Sequence, residues 1–174
     1  PLAASYHRSL DGQMTQNYTP WVALERKGEP GDGAFVALEY LGSWQLAVDH
    51  EGTAGSDDLV GAGNADRLRG MAGNDRLDGL SGNDEVAGGA GDDVLIGHAG
   101  DDVLAGDDGD DTLYGGIGDD RRAGGIGADT LVDASGANVL AGGPGSDTLR
   151  AGGGNNLLDG GDGDDLIVAL AGTN

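Results

Sequence analysis

A nine-residue period runs unbroken from Gly52 to the end of the 174-residue chain and leaves few folds open to it. Units begin at residues 52, 61, 70, 79, 88, 97, 106, 115, 124, 133, 142, 151 and 160, and a partial fourteenth begins at Ala169. A clean copy is Gly88-Gly89-Ala90-Gly91-Asp92-Asp93-Val94-Leu95-Ile96. The fourth position is Gly in 13 of 14 units, with Asn64 the exception. The sixth is Asp in 11 units and Asn in the other three, at Asn138, Asn156 and Asn174. The eighth is Leu, Val or Ile in 12 of the 13 complete units, broken only by Arg122. Self-similarity at a fixed short period is the mark of a stacked repeat architecture.

Each unit divides in two. The first six residues are rich in Gly, which tolerates positive φ and close backbone approach, and they read as a turn. The last three carry one apolar residue between variable ones and read as a short strand with a single inward side chain. Two units complete one coil, and coils stack at about 4.8 Å, so nearly seven coils make a rod of roughly 30 Å. The expected fold is all-β: a parallel β-roll of two sheets over residues 52–174, preceded by a short antiparallel element within residues 1–51.

Stacking sets the sixth residue of one unit over the sixth residue two units later. One column is Asp57, Asp75, Asp93, Asp111, Asp129, Asp147 and Asp165; the other is Asp66, Asp84, Asp102 and Asp120, then Asn138, Asn156 and Asn174. Of twelve stacked pairs, nine are Asp–Asp, one is mixed and two are Asn–Asn, so the sites at the end of the second column are expected to be weak or empty. The chain carries 31 acids against 9 bases, a net charge of −22. Such an acidic chain, poor in aromatics, is ordinarily disordered. Stacked carboxylates repel unless cations neutralise them. A hard dication takes 6–8 oxygens from carboxylates and carbonyls, and calcium suits this supply better than magnesium, which demands tighter octahedral geometry.

On these residues the sequence resembles the nonapeptide repeat of RTX proteins, Gly-Gly-x-Gly-x-Asp-x-apolar-x, a calcium-binding β-roll signature. The resemblance covers residues 52–174. It implies several calcium ions held between turns on both edges, with Asp57, Asp66, Asp75, Asp84, Asp93, Asp102, Asp111, Asp120, Asp129, Asp147 and Asp165 as carboxylate ligands. For one site it implies the carbonyls of Gly70 and Ala72 with Asp75 from one turn, and the carbonyls of Gly89 and Gly91 with Asp93 from the turn one coil later. It also implies type I secretion from a Gram-negative bacterium and folding in extracellular calcium. The parent would be a secreted protein or toxin. The alternatives are an accessory C-terminal domain of a secreted enzyme (metalloprotease, lipase or alginate epimerase) or an adhesin or carbohydrate-binding module. The chain begins at Pro1 rather than Met and shows no signal peptide, and no secretion signal is identifiable at Asn174, so a piece of a longer protein is expected.

Other features narrow the reading. The strong negative charge argues against nucleic acid and against anionic lipid as partners. The absence of Cys removes disulfides, thiolate metal sites and thiol catalysis. No apolar run approaches the length that a transmembrane helix needs. The scattered His7, His50 and His98 do not make a zinc set, and no catalytic motif is present. Arg122 sits at an inward position and is expected to bend out toward Asp119 or Asp120. Outward residues Val94, Ile96, Thr112, Tyr114, Thr130 and Val132 share one sheet face; this is ordinary strand composition or a surface for a carbohydrate or protein partner. Thr112, Thr130 and Thr148 are expected to form an outward ladder.

Residues 1–51 hold six of the seven aromatics and only 5 of the 37 Gly, so they form a separate unit. Strands are expected at 21–25, 34–41 and 43–48, with a turn at 28–33 between the first two. A solenoid needs its open end covered, and residues 20–51 are expected to cap the first coil.

Overall fold

The nine-residue period is laid down as alternating strands of two parallel sheets. The structure, a computed structural model, describes residues 47–169. The expected strands at 21–25 and 34–41, the turn between them and most of the strand at 43–48 lie outside the described residues. In chain order the strands are β1 (Asp49–Glu51), β2 (Asp58–Val60), β3 (Arg67–Ala72), β4 (Arg76–Asp78), β5 (Glu85–Ala90), β6 (Val94–Ala99) and β7 (Val103–Asp108). They continue as β8 (Thr112–Ile117), β9 (Arg121–Ile126), β10 (Thr130–Val132), β11 (Val139–Pro144), β12 (Thr148–Ala151), β13 (Leu157–Asp162) and β14 (Leu166–Ala169). Odd-numbered strands make one seven-stranded sheet and even-numbered strands the other. Every pairing is parallel and joins residues two repeat units apart, as in Leu68 opposite Val86 and Leu95 opposite Leu113. The fold is the all-β parallel roll of two sheets, with two repeat units per coil, that the period implies.

The eighth positions point between the sheets. Leu68, Leu77, Val86, Leu95, Leu104, Leu113, Leu131, Leu140 and Leu149 form one column of fully buried side chains, with Val48, Leu59 and Leu158 packed against it. Strand alternation explains the pattern, since positions seven and nine face outward wherever position eight faces in. In β6 the sequence Val94-Leu95-Ile96 runs half-buried, buried, half-buried. One buried aliphatic side chain per repeat unit, about 1.5–3 kcal/mol each, is a thin core. Thr112, Thr130 and Thr148 stack in register on the outer face, as expected.

Two features differ from the sequence reading. Strands such as β5, β6 and β8 are six residues long, because the first three residues of the following unit continue the strand rather than the turn. The turn proper is confined to positions four to six. The second position takes a left-handed backbone kink that still pairs: Gly89, at φ 112°, lies opposite both Met71 and Asp107. The second difference lies at the start. Asp49–Glu51 pair with Arg67–Arg69 as the first strand of the sheet, although the repeat unit they would complete holds neither the Gly nor the Asp of the motif. Parallel pairing draws on backbone groups, so a unit without the motif can still add a strand.

Left-handed backbone at position two also explains the preference for Gly there. A Cβ on Gly116, at φ 115°, would collide with the carbonyl of His98 one coil earlier. Four units place other residues in the same conformation: Met71 (φ 82°), Leu80 (φ 72°), His98 (φ 72°) and Asp107 (φ 76°). Each carries a local strain of about 1–2 kcal/mol.

Candidate metal centres on the two edges

The turns hold the sixth-position carboxylates on the edges between the sheets. Each is fixed by the chain one coil earlier. The amide of Asp57 donates to Oδ1 of Asp75 at 2.7 Å, Asp75 to Asp93 at 2.7 Å, Asp93 to Asp111 at 2.7 Å, Asp111 to Asp129 at 2.8 Å, Asp129 to Asp147 at 2.8 Å, and Asp147 to Asp165 at 3.0 Å. On the other edge the ladder starts one unit earlier, with Val48 donating to Asp66 at 2.6 Å. It continues from Asp66 to Asp84, Asp84 to Asp102 and Asp102 to Asp120, at 2.8–2.9 Å. The amide of Asp120 then finds the side-chain oxygen of Asn138 at 2.7 Å, and that of Asn138 finds Asn156 at 3.1 Å. Among the described residues the two expected columns are therefore brought together, each of these bonds joining counterparts one coil apart; Asn174 lies outside them.

One oxygen of each carboxylate is used this way and the other is not. Oδ2 of Asp75, Asp84, Asp93, Asp102, Asp111, Asp120, Asp129 and Asp147 is buried without a hydrogen-bond partner. Buried carboxylate oxygens are expensive to leave unmatched, and a run of eight at equivalent positions calls for one common explanation. In the first coil the second oxygens are engaged instead: Asp57 accepts from the Thr53 amide at 2.6 Å and Asp66 from the Ala62 amide. Asp165 is half-buried near the other end.

The first-position glycines complete the cradle. A Cβ on Gly70 would run into Oδ2 of Asp75 and the carbonyl oxygen of Gly88, so only Gly leaves this space open. Among the carbonyls expected around Asp75 and Asp93, those of Gly70 and Gly91 occupy the space that a Cβ on Gly52 and on Gly109 would need. Ala72 and Gly89 lie on the same edge, opposite Ala90 and Met71. Among the described residues no group of three or more His, Cys, Asp and Glu side chains converges. A cation held here would need backbone carbonyls to complete its shell, as a hard, oxygen-seeking ion accepts.

Burial sets the electrostatics. Loss of hydration pushes the Asp111 carboxyl up to about 7, helped by the charges of Asp129 and Asp93 and opposed by the Asp93 amide. Burial likewise raises Asp102 to about 6, helped by Asp120 and Asp84. Asp84, Asp93, Asp120, Asp129 and Asp147 are raised for the same leading reason. Without a counter-ion the columns hold their charge reluctantly.

Arg122 does not bend out as expected. It is 2% exposed, inside the aliphatic column, with Leu104 and Leu140 in register on either side. Its Nη1 donates to the Val132 carbonyl at 2.6 Å and its Nη2 to Oδ2 of Asp133, which is itself buried. The strand pleat aims position eight inward, where a buried carboxylate lies within reach. Burial lowers the Arg122 guanidinium and raises the Asp133 carboxyl, each opposed by the charge of the other.

The fifth position, Asp or Asn in eight units, carries a second ladder that the motif alone does not reveal. These exposed side chains accept from amides one coil later: Asp92 from Asp110 at 3.1 Å, Asp101 from Asp119 at 2.9 Å, Asp110 from Ala128 at 2.8 Å. The two ladders run in opposite senses and brace each turn from both sides. The enrichment of Asp and Asn beside the sixth position was the available signal.

A roll with two edges of stacked, half-orphaned carboxylates belongs to the class of cation-binding β-solenoids. The sequence matches the RTX calcium-binding nonapeptide repeat in four copies, at residues 51–86, 87–121, 123–158 and 141–174, and the chain belongs to that family. The described roll is thus a calcium-binding β-roll domain. No curated protein and no solved structure gave a match to the chain.

Proposed function

We propose that calcium holds the two edges of the roll together and that its binding triggers folding, with the stacked Asp residues and nearby carbonyls as ligands. The observation that carries this is the set of eight buried Oδ2 atoms without partners, repeated at one position of the unit. A divalent cation shared by carboxylates one coil apart would satisfy these oxygens and remove their mutual repulsion. The thin aliphatic column and the charge of −22 both oppose folding without cations, so binding energy becomes folding energy. Family membership supports export to a calcium-rich extracellular medium by type I secretion, and the roll then serves as a structural module of a larger secreted protein. Affinity per site in such a setting is on the order of 10⁻⁴–10⁻³ M.

The test is far-UV circular dichroism of the chain in chelator and through a calcium titration. A coil-like spectrum that turns cooperatively to β supports the reading. Magnesium at equal concentration should do far less. An unchanged β spectrum in excess chelator defeats it.

A further inference from the structure

Three breaks in the repeat fall on one rung. Arg122 replaces the aliphatic eighth residue, Asp133 the first-position Gly, and Asn138 the sixth-position Asp. They belong to units 115–123 and 133–141, which stack directly, with Arg122 in register with Leu140.

A guanidinium in a leucine column is tolerable only when its charge and donors are matched. Here the match is built from the same rung. Arg122 and Asp133 form an ion pair in which both side chains are 0% exposed. The Asp133 carboxylate is held in turn by the Ser135 amide at 3.1 Å. Elsewhere on the edges, the space over the first-position Gly is bounded by carboxylate and carbonyl oxygen: over Gly97 by Asp102 and Gly115, over Gly142 by Asp147 and Gly160. Over Gly115 the neighbours are Oδ2 of Asp120 and then the guanidinium carbon and Nη1 of Arg122, each 2.9 Å from a Cβ built there. The guanidinium thus enters a space that other rungs line with oxygen. Asn138 keeps the ladder bond from Asp120, but where other rungs carry an orphaned carboxylate oxygen it carries a buried Nδ2 without a partner. An NH₂ group repels a metal cation.

We propose that the rung between units 115–123 and 133–141 binds no calcium, and that the Arg122 guanidinium, anchored by Asp133, is its permanent cation. This rests on the reading that the all-Asp rungs hold calcium. It makes one joint of the roll independent of metal, and ends the calcium requirement of the second edge at Asp120.

The triple variant Arg122→Leu/Asp133→Gly/Asn138→Asp restores the repeat at all three positions. Calcium bound at saturation is counted by equilibrium dialysis for the unaltered chain and the variant, each shown to be folded by circular dichroism. The variant should bind one additional ion per chain. Equal counts overturn the proposal, whereas an unaltered chain that binds no calcium overturns the proposed function instead. If the triple variant does not fold, the pair is tested by Arg122→Leu and Asp133→Gly, singly and together. Each single change should raise the calcium midpoint of folding several-fold by stranding a buried charge, and the double should lie nearer the unaltered chain than Arg122→Leu alone. Strictly additive effects overturn the proposal.

Discussion

The amide of Asp93 donates to Oδ1 of Asp111, one coil along, at 2.7 Å, and Oδ2 of Asp111 is buried with no partner. The carboxylate therefore has two roles. One oxygen sets the register between coils, and the other is offered to a cation.

These roles separate by substitution. Asp93→Asn keeps an acceptor for the Asp75 amide but removes a charged ligand from the rungs to Asp75 and Asp111. It should raise the calcium midpoint of folding several-fold, and Asp93→Ala should raise it further. Asn156 accepts from Asn138 and donates to the Gly152 carbonyl at 3.1 Å, and its column neighbours in the sequence, Asn138 and Asn174, carry no charge. Asn156→Ala should cost about 1 kcal/mol of stability per lost hydrogen bond while leaving the number of bound ions unchanged. Titrations followed by circular dichroism, with ion counts by dialysis, check all three. Equal shifts for Asp93 and Asn156 would contradict rungs built from stacked pairs.

Acid should partly stand in for calcium. Burial raises Asp111 to about 7 and Asp102 to about 6 in the metal-free roll, above the unfolded value of about 3.9. Raised folded values favour the protonated roll: their contribution is full below about pH 4 and is lost as pH rises through 6–7. In chelator the coil-like chain should therefore gain β structure as pH falls from about 7 to about 4, which circular dichroism reads directly. Calcium-driven folding starts instead from a coil whose carboxylates are already ionised, so its midpoint should change little between about pH 6 and 8. A metal-free chain equally coil-like at pH 7 and at about pH 4 would show that proton uptake by these buried carboxylates does not favour the roll.

The strained second position makes a prediction of opposite sign at two sites. Leu80 holds φ 72° and is 38% exposed, so Leu80→Gly relieves strain of about 1–2 kcal/mol at an entropic cost of about 0.5–1 kcal/mol. It should lower the calcium midpoint slightly. Gly116→Ala puts a Cβ into the His98 carbonyl and should raise the midpoint strongly, by more than about 1 kcal/mol in stability. A neutral Gly116→Ala would show that the second position does not take the left-handed kink.

Coil length, sheet order, register and the buried column were all legible, because a strict period of nine leaves one way to superpose Leu68, Val86 and Leu104. The division of labour within each carboxylate was not, since it depends on where the amide of the preceding coil points. Arg122 was misread because its partner Asp133 lies in the next-but-one unit, at a position otherwise reserved for Gly. The hint was that Arg122, Asp133 and Asn138 break the pattern within two stacked units. β1 was hidden because Ala47-Val48-Asp49-His50-Glu51 carries no motif and joins through its backbone, with Val48 at the place of the ladder Asp.

Calcium is placed here between sixth-position residues one coil apart. A crystal structure of the chain grown in calcium, with the ions located by anomalous scattering, tests it most directly. Ions should lie along both edges, each contacting carboxylates of successive coils, such as Asp75 with Asp93 and Asp84 with Asp102, and none between Asp120 and Asn138. Ions carried instead by the exposed fifth-position residues Asp92, Asp101, Asp110 and Asp119, with the buried sixth-position oxygens left empty, would contradict it.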